Sequence, residues 1–377
     1  MKLLLAGGGT AGHINPALAI AGYVCQREPA TQILYVGAKG GMEERLVPQA
    51  GYDFEKIEIS GFQRKLSFES LKKNVHTVKL VFSSSREAKK IISRFQPDLC
   101  IGTGGYVSGP VIRQAQKMGI PTLIHEQNAF PGVTNKMLSK HADRVMLAIE
   151  DAKRHMDPNA SFTVTGNPVR GQIVTSQKQA SRDYLRLDNR PVILSFGGSL
   201  GARKINEAAA DLIAWSSRDD RFQHIHAYGQ YGKWFPELLE KKGVDLKAHK
   251  NLDIREYINN MPVCMAAADL VICRAGAITL TEIQAQGKAS LLIPSPNVAE
   301  NHQYHNAMAL VSRNAAEILE EKDLTGDSLI AMVKKMISDP IKLKEYQDNA
   351  RAMAILDSSE CIYQVIKEVL KKMFIGC

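Results

Sequence analysis

The same opening occurs twice in this chain. Leu3-Leu4-Leu5-Ala6 runs directly into Gly7-Gly8-Gly9-Thr10-Ala11-Gly12 and then into a helical pattern. Far downstream, Val192-Ile193-Leu194-Ser195-Phe196 runs into Gly197-Gly198-Ser199-Leu200-Gly201-Ala202 and into a second helical pattern. A short, wholly apolar run reads as a strand covered on both faces, and the glycines let it turn tightly into a helix. One such opening starts a doubly wound parallel sheet, so two openings predict two such domains. The length of 377 residues agrees, because single cores stop growing near 250–300 residues.

The rest of the pattern is consistent with this. Apolar strand-like runs fall at 2–6, 32–37, 98–101, 122–125 and 144–148, then at 192–196, 223–227, 270–273 and 290–294. Amphipathic stretches at 16–27, 42–50, 71–95 and 204–215 separate some of them, and the class is α/β. The segment Gly166-Asn167-Pro168-Val169-Arg170 marks a boundary, since Asn-Pro interrupts regular structure after the basic 151–155 stretch.

Forty-eight Lys and Arg against 39 Asp and Glu leave a net charge of +9, which points to an anionic partner: nucleic acid, a phosphorylated substrate or an acidic membrane surface. No nucleic-acid-binding motif accompanies the charge. The apolar run before Gly7 is too short for a signal peptide, and no apolar run nears the roughly 20 residues of a membrane span. Six cysteines without CxxC pairs or regular spacing predict reduced thiols in a cytoplasmic setting.

Gly7, Gly9 and Gly12 fit G-x-G-x-x-G literally. Such a loop lets backbone amides approach a phosphate, although tight strand-to-helix packing uses the same glycines. A dinucleotide site also needs an acidic residue at the tip of the second strand. Here that strand ends in Gly37-Ala38-Lys39, which argues against NAD. His13 directly follows the loop, where an imidazole can act as a general base near neutral pH; a capping or packing role is the competing reading. Gly102-Thr103-Gly104-Gly105-Tyr106-Val107-Ser108-Gly109-Pro110 and His125-Glu126-Gln127-Asn128 also follow strands. Open α/β sheets bind ligands outside the carboxyl ends of their strands, so this convergence predicts a polar acceptor on the first half.

The second half carries a different set. Ser199 and the amides near Gly201 predict an anion site at a helix start. Arg274 falls at a strand tip and Glu282 in the helix after it. A guanidinium can stabilise a diphosphate leaving group, and a carboxylate can hold a ribose diol; a solvated helix face is the plainer reading of Glu282. Asn301-His302-Gln303-Tyr304 offers groups suited to sugar hydroxyls. There is no Asp-x-Asp triplet and no His/Cys ligand spacing, so neither a metal nor a cofactor is expected. A serine-hydrolase elbow, a Walker loop and HExxH are absent as well.

With these motifs in order, the chain resembles the MurG family of bacterial peptidoglycan enzymes, which are GT-B glycosyltransferases. Gly132-Val133-Thr134-Asn135-Lys136, Gly166-Asn167-Pro168-Val169-Arg170, Arg274-Ala275-Gly276-Ala277 and Gln303-Tyr304 extend the likeness nearly end to end. Two departures are Ala11, where the family usually has glycine, and His302, where glutamine is common. The resemblance implies two Rossmann-like domains facing a central cleft. Residues 1–166 would bind acceptor and membrane, with a helix at 355–377 packing back on them, and residues 167–354 would bind the UDP-sugar. The implied reaction is metal-independent, inverting transfer of N-acetylglucosamine from UDP-N-acetylglucosamine to the C4 hydroxyl of lipid I, giving lipid II for the cell wall. By family likeness Ser199, Ile258, Arg274, Glu282 and Gln303 hold the donor, and Thr10, Ala11, Gly12, Asn128 and Arg170 line its site. His13, Glu126, Tyr106 and Asn135 face the acceptor, with His13 the first choice of base and Glu126 the second.

An acceptor anchored in the bilayer recasts the stretch 57–94. Ile59, Phe62, Leu66, Leu71, Val75, Leu80 and Phe82 alternate there with Arg64, Lys65, Lys72, Lys73 and Lys79. It reads as a patch on the anionic cytoplasmic leaflet, against the plainer reading of a helix with snorkelling lysines. The implied location is peripheral, on the cytoplasmic face of the cell membrane, among cell-wall assembly proteins. The competing readings are a UDP-N-acetylglucosamine 2-epimerase, a diacylglycerol glycosyltransferase, or a noncatalytic sugar-nucleotide-binding scaffold.

Overall fold

The computed structural model describes residues 1–59, 83–218 and 220–375. The chain divides into two units, Met1–Pro168 together with the chain from Asp357 onward, and Val169–Leu356.

Unit 1 is built on β1 (Lys2–Gly7), β2 (Gln32–Ala38), β3 (Asp53–Ile57), β4 (Leu99–Gly104), β5 (Thr122–Glu126), β6 (Arg144–Leu147) and β7 (Phe162–Val164). They lie in the order β3-β2-β1-β4-β5-β6-β7, and every pair is parallel. Side chains alternate across a strand, so each central strand feeds two cores. Leu4, Ala6, Leu34, Val36, Cys100 and Ile124 enter one. Leu3, Leu5, Ile33, Tyr35, Leu99 and Ile101 enter the other. That second core is covered by the Ser358–Ile375 helix, whose Ile362, Val365, Ile366 and Val369 bury at helical spacing. Each such side chain contributes roughly 1.5–3 kcal/mol by leaving water.

Unit 2 repeats the plan with β8 (Val192–Phe196), β9 (Gln223–Ala227), β10 (Leu252–Arg255), β11 (Leu270–Cys273), β12 (Ala289–Leu292) and β13 (Glu317–Ile318). The order is β10-β9-β8-β11-β12-β13, again parallel throughout. Ile193, Ile272 and Leu291 pack with Ile205, Leu212, Leu329 and Val333 from covering helices.

Both sheets reverse direction at their opening strand. After β3 the chain crosses back to lay β4 beside β1, and after β10 it lays β11 beside β8. The carboxyl ends of such a strand pair diverge and leave a crevice. The two glycine loops therefore stand at the two switch points.

The nine strands expected from the sequence are all the interior ones. Among the described residues, the four it did not yield, β3, β7, β10 and β13, are the four edges. The 151–155 stretch is a 3-10 helix, Glu150–His155. Most of the apolar and basic stretch, from Phe62 to Phe82, lies outside the described residues, while Ile59 packs on the unit 1 core and residues 83–95 are helical. Among the described residues no helix is long and apolar enough to cross a membrane.

Candidate active site

His13 lies in the first turn of the Ala11–Arg27 helix, beyond the tip of β1. Its Nδ1 is 3.1 Å from the Thr103 carbonyl oxygen and 3.2 Å from Gln127 Oε1. The ring packs against Gly104, whose φ is +106° and where a Cβ would stand 2.8 Å from Nδ1. Only glycine satisfies both conditions. The half-exposed Tyr106 follows on the same loop, its phenol pushed up by burial and by the Glu43 carboxylate. Thr10, Ala11 and Gly12 are exposed at the start of the helix.

Glu126 ends β5 and is buried. Its Oε1 accepts from the Asn128 backbone N–H at 3.0 Å and from the Asn128 side-chain amide at 3.1 Å. Its Oε2 accepts from Gly132 N–H at 3.2 Å and Asn135 Nδ2 at 2.8 Å. Four donors on one buried carboxylate make it the knot that ties three segments together. Asn135 is buried as well, and its Oδ1 has no hydrogen-bond partner.

One further carboxylate was not foreseen. Glu43, at the start of the Glu43–Gln49 helix, is fully buried. Its Oε1 accepts from Ala38 N–H at 2.9 Å and its Oε2 from Gly9 N–H at 3.3 Å. The tip of β2 is thus met by an acid after all, supplied by the next helix. That acid occupies an amide of the glycine loop instead of holding a ribose.

In unit 2 a pocket of about 380 Å³ is lined by Gly197, Gly201, Arg203, Lys204, Arg274, Gln303 and Glu321, among others. The Arg203–Ser216 helix opens there with no acidic residue in its first turn. Arg203 and Lys204 stand against the dipole, an arrangement that an anion would relieve. Arg274 is held in place by the carbonyls of Ile293 and Pro294, at 3.2 and 3.1 Å, and by the Glu321 carboxylate. Gln303 Oε1 accepts from Ser295 N–H at 2.8 Å. Ser199 is exposed on the loop and Ile258 is buried. Glu282 is buried too, with Arg170 Nε at 2.8 Å and Nη2 at 2.6 Å, both on Oε1. Burial raises its pKa more than Arg170 lowers it. His302 turns its Nδ1 to the Ala299 carbonyl at 2.7 Å.

The structure therefore gathers His13, Tyr106, Glu126, Asn128 and Asn135 at the carboxyl ends of β1, β4 and β5. It brings Arg274 and Gln303 together at one pocket and pairs Arg170 with Glu282. Among the described residues no three His, Cys, Asp or Glu side chains cluster as a metal site.

Residues 3–147 match the glycosyltransferase family 28 N-terminal domain, and residues 192–362 match its C-terminal domain. The chain belongs to glycosyltransferase family 28. It is 44% identical over its whole length, and the whole of the other chain, to the UDP-N-acetylglucosamine–N-acetylmuramyl-(pentapeptide) pyrophosphoryl-undecaprenol N-acetylglucosamine transferase of Acetivibrio thermocellus. The enzyme of the same name from Bacillus cytotoxicus is 40% identical over 99% of this chain and 100% of its own. Among solved structures, Acinetobacter baumannii MurG superposes with a TM-score of 0.79 at 28% identity, covering 97% of this chain and 99% of that one. A Neisseria meningitidis UDP-GlcNAc 2-epimerase, at 14% identity and a TM-score of 0.65 over 99% and 100% of the two chains, shares the fold.

Within the family 28 regions, Glu43, Gln127, Arg203, Lys204 and Glu321 are among the buried or pocket residues that sequence reasoning left unassigned. Glu43 was detectable in principle, five residues beyond Ala38 in a Gly-Gly-Met-Glu turn. Glu321 is 47 residues from Arg274, and nothing local in the sequence announces the pairing.

Proposed function

We propose that this family 28 enzyme transfers N-acetylglucosamine from UDP-N-acetylglucosamine to the C4 hydroxyl of the undecaprenyl-diphosphate-linked N-acetylmuramoyl-pentapeptide, with inversion and without a metal ion. The observation that carries the proposal is end-to-end likeness to relatives named for this transfer. Unit 1 takes the acceptor and unit 2 the donor. The two switch points support this division, one presenting an imidazole and the other a basic pocket.

In the proposed reaction His13 Nε2 accepts the proton of the C4 hydroxyl as its oxygen attacks the anomeric carbon. The C1–O bond breaks, and its electron pair leaves on the β-phosphate of UDP. Arg274, with Arg203 and Lys204, meets that charge. Ser199, Ile258 and Gln303 hold the remainder of the donor, with Thr10, Ala11, Gly12, Asn128 and Arg170 lining its site. Both Arg170 contacts to Glu282 fall on Oε1, so Oε2 serves the ribose diol. Tyr106 and Asn135 position the acceptor. Glu126 is the weaker base, because four donors already occupy its oxygens. The charge of +9 supports peripheral attachment to the anionic cytoplasmic leaflet, where cell-wall assembly proteins would meet it.

The test is transfer of radiolabelled sugar from several UDP-sugars to a soluble lipid I analogue, with EDTA present. Transfer from UDP-N-acetylglucosamine is expected, and loss of turnover in EDTA would remove the metal-free mechanism. His13→Ala should lower kcat by roughly 10²–10⁴-fold; near-normal turnover would take His13 out of the role.

A further inference from the structure

Behind His13 runs a chain of hydrogen bonds whose direction is forced from its far end. His125 Nε2 lies 3.0 Å from the Gly166 carbonyl oxygen, which can only accept, so Nε2 carries the ring proton. The ring is fully buried, and burial pushes its pKa down, which keeps it neutral. Its Nδ1 is then a bare acceptor, and Gln127 Nε2 donates to it at 3.0 Å. The same amide nitrogen faces the carbonyls of Thr103 and His125, each at 3.0 Å. Turning the amide over would set its oxygen against two carbonyls and a lone pair. Gln127 must therefore present Oε1 to His13, at 3.2 Å. The other neighbour of that ring nitrogen, the Thr103 carbonyl at 3.1 Å, is also an acceptor.

We propose that Gln127, oriented by His125, is a positioning residue that acts with the Thr103 carbonyl to fix His13 in the Nδ1–H tautomer, leaving Nε2 as the atom that takes the proton. This rests on the reading of His13 as the base. The proton of the acceptor hydroxyl moves to Nε2, and the O–H electron pair forms the new bond to the anomeric carbon. The imidazolium that results keeps Nδ1–H directed at two oxygens, so its charge is met as it develops. Neither Gln127 nor His125 touches substrate in this scheme; both act through His13.

Nitrogen-15 NMR of the full-length enzyme reads the tautomer directly, with His13 assigned from the His13→Gln spectrum. The neutral wild-type ring is expected to show a protonated Nδ1 and an unprotonated Nε2. In Gln127→Met the Thr103 carbonyl still faces Nδ1, so Nδ1–H should stay the larger fraction while the Nε2–H fraction rises, and kcat should fall about 10-fold, the scale of one lost hydrogen bond to a charged group. KM for both substrates should stay within about two-fold, since that bond forms its charge only in the transition state. A wild-type ring protonated on Nε2 overturns the proposal, and so does wild-type turnover in Gln127→Met while His13→Ala is inactive. Near-normal turnover in His13→Ala sinks the base reading instead and leaves the tautomer measurement standing on its own. If Gln127→Met does not fold, the wild-type spectrum alone decides.

Discussion

The two glycine loops follow the opening strand of two sheets wound the same way, yet they treat charge in opposite ways. In unit 1 the Gly9 amide is taken by Glu43, a buried carboxylate of the protein itself. In unit 2 the loop is held by backbone alone. Gly201 N–H donates to Gly198 O at 3.0 Å, and Gln230 and Tyr231 amides donate to the carbonyls of Ser199 and Leu200 at 3.1 and 3.0 Å. No acid opens the following helix. The pocket beside it is lined by Arg203, Lys204 and Arg274, with Glu321 on Arg274 and Glu207, one helical turn on, paired with Arg203. A glycine pattern thus specifies a backbone shape, whereas the charge placed under or beside the loop decides what it receives. Unit 1's loop carries its own anion and serves to seat His13. Under the proposed function, unit 2's loop is left to receive one.

The largest effect expected from breaking this contrast comes from Gly201→Ala. Gly201 has a φ of +84°, and a Cβ there would stand 2.2 Å from the Tyr228 carbonyl oxygen. The loop has to move, and strain of that kind costs about 1–3 kcal/mol. UDP-N-acetylglucosamine affinity, measured by calorimetry, should fall by roughly 10- to 100-fold. Unchanged affinity would mean that the backbone of this loop is not the anion site.

A smaller effect sharpens the other half of the comparison. Glu43→Gln keeps the shape but offers only one acceptor oxygen to the two amides that Ala38 and Gly9 present. Leaving one buried N–H without a partner costs about 1–3 kcal/mol. Urea unfolding of the unit 1 signal should move by that amount, while UDP-N-acetylglucosamine affinity stays within about two-fold of wild type. A large loss of donor affinity would show that Glu43 acts beyond its own loop.

How much of this the sequence displayed follows the same physical division. Interior strands are covered on both faces, so β1 reads Leu-Leu-Leu-Ala and β11 reads Leu-Val-Ile-Cys. Edge strands are not, and β3 (Asp-Phe-Glu-Lys-Ile) and β10 (Leu-Asp-Ile-Arg) hold the polar residues that hid them. The candidate site was legible where polar groups follow a strand tip directly, as with His13, Glu126 and Arg274. It was hidden where a partner arrives from another element. Glu43 reaches back to β2, Glu321 reaches Arg274 across 47 residues, and Gln127 gains meaning only once Gly166 has fixed His125.

A last prediction tests whether the two units differ in their buried basic groups as they do in their loops. In unit 2, Ser195 Oγ lies 2.7 Å from both His224 Nε2 and His226 Nδ1, and the far nitrogen of each ring is buried without a partner. Burial lowers His224 to about 3 and puts His226 well below the ordinary range. Lys288, whose ammonium caps the carbonyls of Ala266 and Ala268, is lowered by burial to about 7. For each of these the unfolded chain holds the proton more tightly than the folded one. Stability from the histidines is therefore present above about pH 6.5 and lost as pH falls below it, by up to about 1.4 kcal/mol per pH unit for each ring. Lys288 adds stability as pH rises from about 7 towards the ordinary lysine range. Glu282, raised by burial, has the opposite sign and offsets part of the acid loss. Among the described residues unit 1 buries one such ring, His125. Hydrogen-exchange protection factors compared at pH 7.5 and pH 5 should thus fall further in β8, β9 and β11 than in β1, β4 and β5. An equal or larger loss in unit 1 would mean that carboxylates, rather than buried histidines, govern the acid response of this fold.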